Sequence, residues 1–157
     1  MDLPAHNDCY GCGKPGDGRI DINYRWDEST SRIGGTVTFG PMAQGPPGHV
    51  HGGGLATVLD EAMGAAAWLS GHTCVAVSIT INYREMVPLG SELRIQAWVD
   101  KVEGRKVYAA GSLANLQGAV TSEASGLFIV ISAEKLGNRV PGTQHTIDQY
   151  HLWRNSL

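Results

Sequence analysis

Apolar and polar residues alternate strictly from residue 19 to 27, RIDINYRWD. Ile20, Ile22, Tyr24 and Trp26 fall on one side, and Arg19, Asp21, Asn23, Arg25 and Asp27 on the other. A period of two predicts a half-buried β-strand. After the polar turn Asp27 to Ser31, residues 32–39 read as a returning strand with Ile33, Val37 and Phe39 apolar, and Gly34-Gly35 mark an expected bulge. The two strands are expected to form a hairpin.

Residues 41–51, PMAQGPPGHVH, hold three prolines. Proline lacks the ladder donor and fixes its own φ, so this stretch predicts a loop. From Gly52 to about Ser70 the period changes to that of a helix. Leu55, Val58, Leu59, Ala62, Met63, Ala66 and Leu69 share one face, and Gly71 is placed to end the helix as its C′ residue.

Four strand-like runs follow, at 74–87, 92–102, 105–116 and 119–132, separated by Pro88-Leu89-Gly90-Ser91, Glu103-Gly104 and Gln117-Gly118. Short connections predict antiparallel neighbours, hence a meander. One apolar helix face then needs covering, and the simplest solution is an α+β domain in which a curved antiparallel sheet wraps one long central helix. A loop with a short helix or tail, anchored by Tyr150, Leu152 and Trp153, is expected after about residue 134.

The length of 157 residues with 42% hydrophobic content suits one domain with a single core. It divides into an amino-terminal CxxC segment (1–18), a core at about 19–133 and a tail at about 134–157. The net charge of −3 comes without a basic stripe, which argues against nucleic acid as a partner. No apolar run reaches the roughly 18 residues that span a bilayer, and the first residues do not read as a signal peptide. No membrane association is expected, and the cytoplasm is the expected compartment. Three cysteines, Cys9, Cys12 and Cys74, suit a reducing compartment. Cys9 and Cys12, with His6 nearby, make half of a zinc pattern without a second pair. The expectation is a tight turn packed on the rim of the sheet, with no metal and no cofactor.

The chemistry concentrates on the helix. Asp60 lies about 140° around the wheel from Leu55, away from the core stripe, among the small residues Gly53, Ala56, Gly64 and Ala67. A ligand can approach that carboxylate closely. Gly52, Gly53 and Gly54 open the helix with unobstructed N–H groups at its positive end, suited to a developing oxyanion. His51 precedes them and is expected mainly to cap the helix or shape the site, with acid-base work as the alternative. Hydrolysis of a thioester needs a carboxylate to activate water or attack carbon, and N–H donors for the tetrahedral intermediate. Asp60 lies roughly 10 Å along the helix from Gly53, so two chains would have to supply the two halves.

The run His51-Gly52-Gly53, Ala56-Thr57 and Asp60-Glu61-Ala62-Met63-Gly64 resembles the helix signature of the PaaI-type hotdog thioesterases. Cys9-Tyr10-Gly11-Cys12-Gly13 is similar to an opening found in one branch of that family. Ile81-Asn82-Tyr83-Arg84 through Pro88-Leu89-Gly90 is similar to its strand and turn after the helix. The resemblance spans about residues 9–132 and implies a hotdog fold that hydrolyses acyl-CoA to free acid and CoA, with CoA as part of the substrate. It implies Asp60 as general base or nucleophile, Gly52 or Gly53 as oxyanion donor from the other chain, and a homodimer, with pairing of dimers into a tetramer left open. Relatives carry Thr where Ala76 stands and Pro where Met86 stands.

Gln44, by the same resemblance, is the candidate amide that orients water or substrate, and Ser78 the hydroxyl that holds the carboxylate. Asn82 and Arg84 lie on the polar face of their strand, where Arg84 is a candidate for CoA phosphates against the simpler reading of a solvated arginine. Met63 and Trp68 are candidate acyl contacts. Two alternatives stay open: a hotdog module that binds acyl-CoA without hydrolysing it, and a 3-hydroxyacyl-thioester dehydratase or hydratase with His51 as base.

Overall fold

The computed structural model describes residues 9–12, 18–132, 134–136 and 148. The expected anchors Tyr150, Leu152 and Trp153 lie outside these residues. β1 (Ile20–Asp27) and β2 (Arg32–Phe39) form the expected hairpin, with Tyr24 opposite Gly35 and Trp26 opposite Ile33. A 3-10 turn at Pro41–Ala43 opens the proline loop, which leads into α1 (Gly52–Leu69). Then come β3 (Cys74–Tyr83), β4 (Glu92–Glu103), β5 (Lys106–Ala114) and β6 (Val120–Val130).

All six strands form one antiparallel sheet in the order β1-β2-β4-β5-β6-β3, and α1 touches every strand. That is the hotdog arrangement. Phe39, Ile33, Leu59, Met63, Leu93 and Ile95 fill the space between helix and sheet with almost no exposure. Each such side chain contributes roughly 1.5–3 kcal/mol of apolar burial, so the helix is held by its core face. The sheet covers more of the helix than the wheel suggests, since Ala65 and Ala67 are buried as well.

The helix ends in a Schellman motif. Gly71 N–H donates to the Trp68 carbonyl at 2.9 Å, His72 N–H donates to the Ala67 carbonyl at 3.0 Å, and Gly71 has φ of 95°. A left-handed residue here turns the chain back toward the sheet, as its place in the sequence led us to expect.

Two expectations are corrected. The four later strands are not a simple meander: β3 pairs with β6, and β4 lies between β2 and β5. The strand that begins at 74 ends at Tyr83, and residues 84–91 leave the sheet to pass the start of α1. There Val50 N–H donates to the Val87 carbonyl at 2.8 Å and His49 bridges Pro88. Val87 is buried in the core, so this crossover is packed and it carries the chain to the far side of the sheet. The second correction concerns Gly34-Gly35, where register runs unbroken against both neighbours. A Cβ at Gly35 would lie 2.0 Å from the Asn23 carbonyl oxygen, so glycine serves a close backbone approach instead of a bulge. A register shift occurs on β3, between Ala76 and Ser78.

Candidate active site

Asp60 is half-buried on α1, and among the described residues none donates a hydrogen bond to its carboxylate. Burial without compensation disfavours the charged form and raises its pKa above 3.8. A carboxylate raised in this way is a stronger base than an exposed aspartate. The wheel position read from the sequence therefore holds: Asp60 is off the core stripe yet partly desolvated.

The first turn of α1 separates the two candidate oxyanion donors. His51 caps the helix, and its Nδ1 accepts the Gly53 N–H at 2.8 Å. That donor is occupied. Gly52 N–H finds no acceptor among the described residues, and it remains the open donor at the positive end of the helix. The cap also settles the histidine tautomer. With Nδ1 accepting, neutral His51 carries its hydrogen on Nε2 and has no free ring lone pair to act as a base.

Tyr83 is a residue the sequence reading passed over. Its hydroxyl donates to the Gly52 carbonyl oxygen at 2.9 Å, and its ring atom Cζ lies 3.2 Å from where a Gly52 Cβ would stand. Tyr83 thus pins the end of β3 onto the opening residue of α1, and a side chain at Gly52 would crowd the ring. The signal was available, since Tyr83 is in phase with Ile79 and Ile81, which pack against the core.

A cleft of about 400 Å³ lies at this end of the helix, lined by Tyr10, Met42, Gln44, His51, Gly53 and Thr57 among others. Gln44 Oε1 accepts the Gly48 N–H at 3.0 Å, so the side chain braces the proline loop while its amide NH2 remains as a donor. Asp60 does not line this cleft. It lies eight positions beyond Gly52 on one continuous helix, a separation of about 12 Å at 1.5 Å rise per residue.

The other candidates are not brought to Asp60 within one chain. Because Ile79 and Ile81 face the core, alternation puts Ser78 and Asn82 on the opposite, exposed face of β3. Ser78 instead lines a second depression of about 370 Å³ with Thr80, Lys101, Tyr108 and Ser125. Arg84 forms an exposed ion pair with Glu123. Met63 is fully buried, with its Cγ and Cε each 3.4 Å from the would-be Cβ atoms of Gly111 and Gly126 respectively; it is a core residue. Trp68 is half-buried, and its indole N–H donates to the Cys74 carbonyl at 2.9 Å, tying the end of α1 to β3.

Residues 47–122 match the thioesterase superfamily, a range that holds His51, Gly52, Asp60 and Tyr83. The chain is 38% identical over 97 residues to the acyl-coenzyme A thioesterase THEM4 of Bos taurus, a match that covers 61% of this chain and 40% of that protein. It therefore spans less than half the length of this curated relative. A Bacillus halodurans protein solved with CoA is 26% identical, with a TM-score of 0.61 over 70% of this chain and 74% of that one. The solved E. coli PaaI protein, from the phenylacetic acid degradation operon, is 24% identical, also with a TM-score of 0.61, over 72% of this chain and 80% of that one. Residues 47–122 thus carry a thioesterase-superfamily match, and the chain has the hotdog fold of its solved relatives, the PaaI protein among them.

Proposed function

We propose that this chain hydrolyses acyl-CoA thioesters to the free acid and CoA, working as a homodimer in which each site is shared between two chains. The observation that carries the reading is the half-buried Asp60 carboxylate, raised in pKa by desolvation, on the small-residue side of α1. The thioester carbonyl accepts the Gly52 N–H of one chain. The partner's Asp60 takes a proton from a water molecule as that water attacks the carbonyl carbon. The alternative route for the same carboxylate is direct attack on the carbonyl carbon, followed by hydrolysis of the mixed anhydride. In either case the tetrahedral oxyanion forms against the Gly52 N–H and collapses to expel the CoA thiolate.

Two observations support a shared site. The spacing of about 12 Å along one helix is too long for Asp60 and Gly52 of the same chain to serve one carbonyl. In addition β3 is an edge strand, with Val75 and Val77 40% and 59% exposed. An edge of this kind invites pairing with its own copy across a two-fold axis. The CoA bound by the Bacillus halodurans relative supports the ligand class. The occupied Nδ1 of His51 argues against the dehydratase reading, which needs that ring as a base.

The test is thiol release from a panel of short, medium, long and aryl CoA esters, run with wild-type protein and Asp60→Ala. Turnover that falls on the order of 10²-fold or more in the variant supports the assignment. Silence of the wild type across the panel, with CoA esters still bound, would move the chain to a binding role. Sedimentation that finds only monomer would remove the shared site.

A further inference from the structure

We propose that Cys9, Cys12 and Glu61 form a binding site for one zinc-class divalent cation, which clamps the amino-terminal segment onto the central helix. The sequence alone supplies only two of these ligands. The third, Glu61, lies 52 positions from Cys9, and the fold sets its Oε1 3.4 Å from the Cys9 Sγ. One ligand atom from each of the three residues lies within 4.8 Å of the others. Tetrahedral zinc holds sulfur and oxygen ligands about 3.5–3.8 Å apart, from bonds of about 2.3 Å and 2.1 Å, so closing on an ion asks for shifts of about 1 Å.

The backbone is shaped for this approach. A Cβ at Gly11, between the two cysteines, would stand 2.7 Å from Glu61 Cγ and 3.1 Å from Thr57 Cγ2. Glycine there lets the turn lie flat on α1 and brings both thiols to the carboxylate. Two thiolates with one carboxylate suit zinc, whereas calcium and magnesium call for oxygen ligands throughout. A fourth position falls to water.

The site is distinct from the proposed hydrolytic centre, because Glu61 projects about 100° around the helix from Asp60. Its work is structural. Tyr10, held between the two cysteines, lines the cleft at the start of α1, so the ion would fasten the rim of that cleft. Cys74 takes no part: it is buried, and burial pushes its thiol pKa up to about 12.

The test uses the full chain, reduced and stripped with a chelator, then titrated with Co²⁺. Tetrahedral d–d bands and thiolate-to-cobalt charge transfer should saturate at one equivalent, be abolished by Zn²⁺, and accompany a rise in melting temperature. Cys9→Ser and Cys12→Ser should each weaken binding on the order of 10-fold or more and diminish the charge-transfer band. Glu61→Gln should keep the charge-transfer band but bind more weakly. No saturable band at one equivalent, an unchanged band in Cys12→Ser, or undiminished affinity in Glu61→Gln overturns the proposal. Should a cysteine variant misfold, zinc-edge X-ray absorption of the wild type decides. Two sulfur scatterers support the site, and any other number overturns it.

Discussion

The Tyr83 hydroxyl donates to the Gly52 carbonyl oxygen across 31 positions of sequence, at 2.9 Å. It couples the last residue of β3 to the first residue of α1, and so helps to position Gly52, the residue whose own N–H is the open donor. Tyr83→Phe keeps the ring over Gly52 and removes only this bond, worth about 0.5–1.5 kcal/mol. Acyl-CoA turnover is expected to fall about 5- to 10-fold, mainly in kcat, with little change in the circular dichroism spectrum. An unchanged kcat in steady-state assays would mean that the tyrosine does not position the donor.

His51 reads as a cap whose lone pair serves Gly53. His51→Ala should destabilise the protein by about 0.5–2 kcal/mol in urea unfolding, the usual cost of a lost N-cap. His51→Asn restores an acceptor of suitable reach and should recover most of both stability and turnover. Recovery of stability without turnover would assign the imidazole a part in the chemistry.

Asp60 sets the expected pH dependence. Its folded pKa lies above 3.8 because burial penalises the charge, so the native state holds the proton more tightly than the unfolded chain does. Ionised Asp60 therefore costs stability at neutral pH, and the cost is relieved as pH falls through the folded pKa toward 3.8. Activity runs the other way, since the base must be ionised. The acid limb of kcat/KM should show an apparent pKa above 3.8, while Asp60→Asn should abolish turnover and raise the melting temperature at pH 7. Thermal melts across this range check the second point, and a less stable Asp60→Asn would contradict it.

Met63 is expected to matter for stability far more than for acyl selectivity. It is fully buried over Gly111 and Gly126, so Met63→Ala should cost about 2–5 kcal/mol through lost contacts and a cavity. Urea unfolding measures this. A variant of normal stability with altered chain-length preference would return Met63 to the acyl tunnel.

The sequence by itself determined the local elements and the place of Asp60 off the core face of the helix. Alternation over residues 19–27 and the 3.6 period after Gly52 report which side of each element meets the core, and this information is carried by near neighbours. The helix expected from Gly52 to about Ser70 is found at Gly52–Leu69, and Asp60 lies off its core face. Tertiary structure alone decided what near neighbours cannot encode. It put β3 beside β6 and β4 beside β2, because the crossover at 84–91 is packed around Val87 and Val50. It set Ser78 in a depression with Lys101 and Tyr108, away from Asp60 of the same chain. It chose Gly52 over Gly53 as the open donor through one cap from His51, and it brought Glu61 to Cys9 across the fold. Each of these depends on contacts between residues far apart in the chain, and such contacts exist only once the sheet has closed around its helix.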